Sequence, residues 1–264
     1  MLALICGNGH LPGHIAQAQS TAPLVAVLHG FAPDGLSADM PFRLEQLGSF
    51  LAALKERGVA EVCFCGSIAR PAVDPSLIDA ATMPLVPRLM AAMGQGDDGA
   101  LREAIRIFED HGFAVRSAQD LAPDLVMEHG VLTQTAPTDQ MREDAAKGFD
   151  VIVALSPFDT GQAAVVGAGQ LLAVETLGGT DHMISTLPEV PQRTAAVLVK
   201  APKQDQDARA DWPTVGPETI RALVAAGVTG LALQPGGALV LFKDETIRLA
   251  DEAGLAIWAG SATP

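Results

Sequence analysis

A group of six charged side chains lies between residues 200 and 211. Three carboxylates and three cations occur there among prolines, namely Asp205, Asp207, Asp211, Lys200, Lys203 and Arg209. In an extended segment, Asp207, Arg209 and Asp211 alternate onto one face. Carboxylate oxygens bind Mg²⁺, and lysine and arginine neutralise phosphoryl oxygens. The segment could therefore hold a divalent cation and a phosphate, although a solvated polar loop has the same composition.

Two further polar clusters precede this segment. The first is Asp159-Thr160-Gly161-Gln162. In the second, a predicted strand leads to Glu175, and glycines then open a turn before Thr180 and Asp181. Glu175 at a strand end could be a metal ligand or a base, whereas Thr180 or Asp181 could simply cap the following helix. The pattern leaves both interpretations open.

A glycine turn follows the first predicted strand, at Gly7-Asn8-Gly9. It resembles the start of a dinucleotide-binding fingerprint, but Pro12 occupies the third glycine position and the second strand ends without an acidic residue. We therefore do not expect a nicotinamide cofactor. Backbone N–H groups at a helix N-terminus could still bind a phosphate, and an ordinary strand-to-helix turn is the alternative.

Composition excludes several classes of function. The chain of 264 residues is 48% hydrophobic and carries a net charge of −14, so it repels nucleic acids and anionic lipid at long range. Its six histidines have no metal-ligand spacing, which argues against a zinc site. Three cysteines, no basic leader and no apolar run of about 18 residues favour a cytoplasmic protein with buried thiols.

The elements that must position these residues alternate between strand and helix in the first half. We predict strands at Leu2–Cys6, Leu24–His29, Val62–Cys65 and Ala114–Ser117, and helices at Pro12–Gln19, Leu44–Arg57 and Leu101–His111. This order predicts a mostly parallel, Rossmann-like sheet covered on both faces.

The second half is again α/β but less regular. We predict a helix that ends at Lys147 before Gly148, helices at Pro217–Ala226 and Lys243–Ala253, and strands at Val151–Leu155, Ala163–Val166, Leu171–Val174, Ala196–Lys200, Gly230–Leu233 and Leu239–Phe242. The uncharged stretch Gly130–Pro137 suggests a linker. The predicted organisation is an N-terminal α/β domain over 1–132, a linker over 133–137 and a C-terminal mixed α/β domain over 138–264.

The motifs together resemble one enzyme family over essentially the whole chain. They are Gly7-Asn8-Gly9, Gly66-Ser67-Ile68-Ala69-Arg70-Pro71, Gly96-Asp97-Asp98, Asp159-x-Gly161-Gln162, Glu175-x-x-x-Gly179-Thr180-Asp181, Lys200-x-Pro202-Lys203 and Gln206-Asp207-x-Arg209-x-Asp211-x-Pro213-Thr214-Val215-Gly216. The set is similar to the LpxI-type UDP-2,3-diacylglucosamine pyrophosphatases of lipid A biosynthesis. The last motif is the most specific.

The resemblance implies a magnesium-dependent hydrolase at the cytoplasmic face of the inner membrane. Its reaction would split the pyrophosphate of UDP-2,3-diacylglucosamine into UMP and 2,3-diacylglucosamine 1-phosphate (lipid X), with two α/β domains closing over an interdomain cleft. An aspartate of the second domain would be essential, and this role falls on Asp207 or Asp211. The weakly basic stretch at residues 67–70 leaves only Arg70 there to bind phosphate.

These inferences give a set of expected site residues. We expect Asp207 and Asp211 to be catalytic and to bind Mg²⁺ with Glu175 or Asp181, and we expect substrate contacts from Gly7, Asn8, Gly9, Gln162, Thr180, Lys200, Lys203 and Arg209. Residues 83–90 are a candidate lip for the acyl chains. The expected partners are a lipid-linked nucleotide sugar and the inner membrane, without nucleic acid, and a homodimer is left open. The alternatives are a hydrolase of another nucleotide sugar and a nucleotide- or lipid-binding module without catalysis.

Overall fold

The computed structural model describes residues 1–69, 72–94, 96–204, 206–209 and 211–260. Arg70 and Asp205, both singled out from the sequence, lie outside the described residues. The chain forms two compact units, the first containing Met1–Pro123 and Asp207–Asp211 and the second the other described residues. No helix in the described part of the chain is both long and apolar enough to cross a membrane.

The first unit is built on a five-stranded sheet in the order β3-β2-β1-β4-β5, and every neighbouring pair is parallel. Its strands are β1 (Leu2–Cys6), β2 (Leu24–Leu28), β3 (Met40–Phe42), β4 (Glu61–Cys65) and β5 (Ala114–Val115). Its helices are α1 (Leu11–Ala18), α2 (Leu47–Glu56), α3 (Val86–Met93), α4 (Gly96–Asp110) and α5 (Ala118–Leu121). Apart from Glu61 at the start of β4, the strands are continuous apolar runs, as is typical of a parallel sheet that is covered on both faces.

The second unit contains a six-stranded mixed sheet in the order β6-β13-β11-β9-β7-β8, beside a two-stranded pair of β10 and β12. Its strands are β6 (Gly130–Val131), β7 (Ala163–Gly167), β8 (Gln170–Val174), β9 (Val197–Lys200), β10 (Thr214–Val215), β11 (Gly230–Leu233), β12 (Leu239–Val240) and β13 (Ala256–Ala259). Its helices are α6 (Asp139–Leu155), α7 (Gly179–Ser185), α8 (Pro217–Ala226) and α9 (Lys243–Ala253). The predicted two-domain α/β class, with a parallel first sheet and a mixed second one, is confirmed, and the cleft stays a prediction.

The two units divide earlier than the boundary that we predicted at residue 132. Val131 pairs with Trp258 of β13, and the Met127 amide donates to the Ala238 carbonyl, so these residues already belong to the second sheet. A two-residue strand such as β6 has no periodicity by which the sequence could reveal it. Residues 207–211 group with the first unit, although the flanking sequence belongs to the second.

The prediction of a strand at Val151–Leu155 is wrong, because α6 continues through these residues as one helix of 17 residues. Gly148, the predicted end of this helix, is buried inside it. A Cβ atom at Gly148 would lie 2.5 Å from Cγ2 of Val199 in β9. Glycine is therefore needed here for close packing of the helix on the sheet. In the apolar run after it, Ile152 is buried, whereas Val153 is exposed to solvent.

The three cysteines are free and buried, as predicted. Cys6 of β1 lies opposite Cys65 of β4. Hydrogen bonds with Cys6 and Cys63, together with burial, raise the pKa of the Cys65 thiol well above its usual value. Cys65 therefore stays protonated and unreactive at neutral pH.

We expect Gly148→Ala to lower the free energy of unfolding by about 1–3 kcal/mol, because the added methyl overpacks the contact with Val199. Gly13→Ala is the matched control, since the nearest atom to a Cβ there is 3.4 Å away, in ordinary contact. That change should leave the stability unchanged or raise it by about 0.5–1 kcal/mol. Urea unfolding measures both variants, and equal effects would contradict the packing role of Gly148.

Candidate functional site

The glycine turn after β1 is paired with the loop after β4. The Asn8 amide donates to the Ser67 carbonyl at 2.8 Å, and the Ser67 amide donates to the Asn8 carbonyl at 2.9 Å. A Cβ atom on Gly7 would lie 2.3 Å from the Ser67 carbonyl oxygen, and Gly66 has a φ of +86° that favours glycine. Gly7 and Gly66 thus allow the two loops to meet where the strand order of the sheet reverses, the usual ligand position in open α/β sheets.

Asn8 also fixes the loop after β2. Its side-chain oxygen accepts the Ala32 amide at 2.8 Å, and the Gly9 carbonyl accepts the Asp34 amide at 3.0 Å. These contacts give Asn8 and Gly9 a structural role that the sequence did not reveal. Their role in substrate binding stays a prediction.

The carboxylate of Asp207 is held by Arg209. Its Oδ1 accepts the Arg209 backbone amide at 3.0 Å and Nε at 2.9 Å, while Oδ2 accepts Nη2 at 2.7 Å. The first of these bonds closes a turn, so Asp207 and Arg209 meet through a turn and not through the extended arrangement that we considered. These side-chain hydrogen bonds from Arg209 lower the pKa of Asp207, and Asp207 in return raises that of Arg209.

A second carboxylate binds the same guanidinium. Nη1 of Arg209 lies 2.5 Å from Oε1 of Glu109 in α4. Sequence reasoning missed Glu109, because it lies 100 residues before Arg209 and no local spacing connects the two. The arrangement keeps Asp207 ionised at neutral pH and holds a guanidinium beside it. Asp211, the other predicted catalytic residue, is half-buried in the same unit.

The second unit brings Gln162, Glu175 and Thr180 together. The Glu175 carboxylate accepts hydrogen bonds from the Gln162 backbone N–H at 2.8 Å and from the Thr180 hydroxyl at 2.7 Å. The Gly161 amide donates to the Glu175 backbone carbonyl at 2.9 Å. A Cβ atom on Gly161 would lie 2.2 Å from Cγ of Glu175, so only glycine leaves room for that side chain. Two motifs that are separate in the sequence therefore form one cluster, which we call the Glu175 cluster.

Two lysines at the carboxyl end of β9 are buried. Lys203 is 8% exposed, and its Nζ lies 2.7 Å from Oδ1 of Asp159. Lys200 is 7% exposed and donates to the Thr214 carbonyl at 3.4 Å. Buried charges need such partners, because removal from water is otherwise costly. Asp159, which pairs with Lys203, has a left-handed backbone conformation (φ 52°) that aspartate tolerates better than most residues.

The predicted metal ligands do not form a ready-made cage. No group of three or more His, Cys, Asp or Glu side chains in the described ranges is placed to hold a metal ion. Asp181 is exposed in the first turn of α7, whose N-cap is Gly178, so the predicted capping by Thr180 or Asp181 is wrong. Mg²⁺ is commonly held by one or two carboxylates together with substrate phosphates. Asp207 and Asp211 stay the predicted carboxylates for that mode of binding.

Comparison with known proteins matches the chain along its length. A family model described as the LpxI N-terminal domain matches residues 1–125, and one described as the LpxI C-terminal domain matches residues 128–258. This chain belongs to the LpxI family. It is also 34% identical, over 96% of its length and 95% of the relative's, to the UDP-2,3-diacylglucosamine pyrophosphatase LpxI of Caulobacter vibrioides. The resemblance inferred from the motifs is thus confirmed.

We expect Thr180→Val to lower the free energy of unfolding by about 1–2 kcal/mol, because the Glu175 carboxylate loses a hydroxyl donor. Thr180→Ser is the matched control, since it keeps the hydroxyl, and it should lie within about 0.5 kcal/mol of the parent chain. Urea unfolding measures both variants. If valine and serine were equally tolerated, the hydrogen bond would not hold this cluster together.

Proposed function

We propose that this chain hydrolyses the pyrophosphate bond of UDP-2,3-diacylglucosamine and releases UMP and 2,3-diacylglucosamine 1-phosphate in lipid A biosynthesis. The match to a relative named for this pyrophosphatase, over nearly the full length of both chains, carries the proposal. Both domain models of the family match in the expected order, which supports it further. In this reaction water attacks one phosphorus of the diphosphate and the bridging P–O bond breaks, so that each phosphate leaves as a monoester.

The first unit supplies a carboxylate and a cation to this reaction. Asp207 or Asp211, as an ionised carboxylate, accepts the proton of the attacking water or binds Mg²⁺. Arg209 stabilises negative charge that develops on the phosphoryl oxygens. The support for this role is that Arg209 is held in a fixed position between Asp207 and Glu109.

The second unit contributes the two buried lysines and the Glu175 cluster. Lys200 and Lys203 carry positive charge on a strand end, which suits a diphosphate. Gln162 and Thr180 are proposed to contact the substrate, and the Glu175 carboxylate fixes the Gln162 backbone and the Thr180 side chain. Glu175 and Asp181 stay predicted metal ligands.

Mg²⁺ is the proposed cofactor. Asp207 and Asp211 are the carboxylates that would hold it, together with oxygens of the substrate diphosphate. When bound, Mg²⁺ screens the charge of the pyrophosphate and lowers the pKa of a coordinated water. We further propose that the protein works at the cytoplasmic face of the inner membrane, where a diacylated substrate is held.

The test is an assay of the purified full chain with UDP-2,3-diacylglucosamine and Mg²⁺. We expect UMP and 2,3-diacylglucosamine 1-phosphate in equal amounts, and we expect EDTA to stop the reaction and added Mg²⁺ to restore it. UDP-glucosamine, which has no acyl chains, is the matched substrate. Equal kcat/KM for both substrates would instead indicate a hydrolase of another nucleotide sugar, and binding without release of UMP would indicate a module without catalysis.

A further inference from the structure

Two large apolar side chains of the second unit lie almost entirely in water. Leu177 is 97% exposed and Phe158 is 76% exposed, the two highest values among the large hydrophobic side chains of the described residues. Scattered exposed apolar residues are ordinary, but most are partly covered by their neighbours. Side chains as exposed as these two contribute little to the stability of the fold, and their apolar surface is available for contact with another apolar surface.

Phe158 and Leu177 lie on loops at the same end of one hairpin. Phe158 ends the 3₁₀ turn Ser156–Phe158, which leads into β7, and Leu177 lies between β8 and α7. The two strands are antiparallel, and the bond from the Gly161 amide to the Glu175 carbonyl extends their pairing beyond the strands. The loop before β7 and the loop after β8 therefore leave the sheet together, next to the Glu175 cluster.

The charges around these loops limit what could cover the two side chains. Asp159, Glu175 and Asp181 lie on the same loops or on the turn that follows, and the whole chain carries a net charge of −14. An anionic surface would be repelled. A neutral or zwitterionic lipid interface offers an apolar layer without that repulsion, and exposed phenylalanine and leucine are typical of segments that enter such an interface.

We propose that Phe158 and Leu177 insert into the interfacial region of a zwitterionic lipid bilayer and hold the Glu175 cluster at its surface. The inference rests on the proposed function, because a diacylated substrate is carried in such a bilayer. The two side chains enter the bilayer itself and do not bind the acyl chains of a substrate molecule taken from it. The contact is peripheral and reversible, since only two side chains enter.

The test is flotation of the full chain with phosphatidylcholine vesicles. We expect Leu177→Ser and Phe158→Ser each to weaken vesicle binding by about tenfold, and the double variant to bind at background level. Val224→Ser is the matched control, because Val224 is a 48% exposed apolar residue on α8, and it should bind like the parent chain. With substrate embedded in vesicles, the rate should fall by the same factors, whereas the rate on a soluble short-chain analogue should not change.

A second measurement does not depend on loss of binding. Leu177→Trp should show a blue shift of its added tryptophan emission when phosphatidylcholine vesicles are present, and Val224→Trp should show none.

Three results would overturn the proposal: no vesicle binding by the parent chain, unchanged binding by the double serine variant, or a loss of activity on the soluble analogue while vesicle binding is kept. The last result would assign the two side chains to the substrate's own acyl chains. If the parent chain released no UMP but its vesicle binding still needed Phe158 and Leu177, docking would stand and the proposed function would fail.

Discussion

The ion pair between Asp207 and Arg209 determines what the acidic segment can do. Arg209 donates three hydrogen bonds to one carboxylate and a fourth to Glu109, so the turn at residues 207–209 and helix α4 fix the same guanidinium. The pair keeps Asp207 ionised and places a cation within 3 Å of it. In phosphoryl transfer a guanidinium can stabilise charge on the phosphoryl oxygens and a carboxylate can hold a metal ion or orient water, and the proposed chemistry depends on this pair.

Glycines at close contacts are the second constraint on where the polar groups of the site can lie. Gly7 lets the loop after β1 meet the loop after β4, and Gly161 lets the Glu175 side chain pass beside β7. At both positions a Cβ atom would lie within about 2.3 Å of a neighbouring heavy atom, which real side chains do not tolerate. The family motifs Gly7-Asn8-Gly9 and Asp159-x-Gly161-Gln162 therefore contain glycine for steric reasons, whatever ligand the neighbouring residues bind.

Much of the fold could be predicted from local signals. Helices α8 and α9 have the predicted bounds, because Pro217 suits the first turn of a helix and Gly227 and Gly254 adopt the left-handed conformation that ends one. The prediction that Gly148 ends a helix was wrong, because this glycine lies inside α6 and allows the helix to pack closely on the sheet. The contact between Arg209 and Glu109 joins residues that are 100 positions apart, so no pattern of local residue spacing could predict it. The residues of the Glu175 cluster were singled out, but their mutual hydrogen bonds needed the pairing of β7 with β8.

The most direct measurement is the kcat of Asp207→Asn and Asp211→Asn with UDP-2,3-diacylglucosamine and Mg²⁺, beside Asp244→Asn as a matched exposed aspartate outside the acidic segment. We predict that at least one of the first two substitutions lowers kcat by roughly 10³-fold or more, while Asp244→Asn has no effect. Near-normal rates for both Asp207→Asn and Asp211→Asn would contradict the assignment of the reaction to this segment.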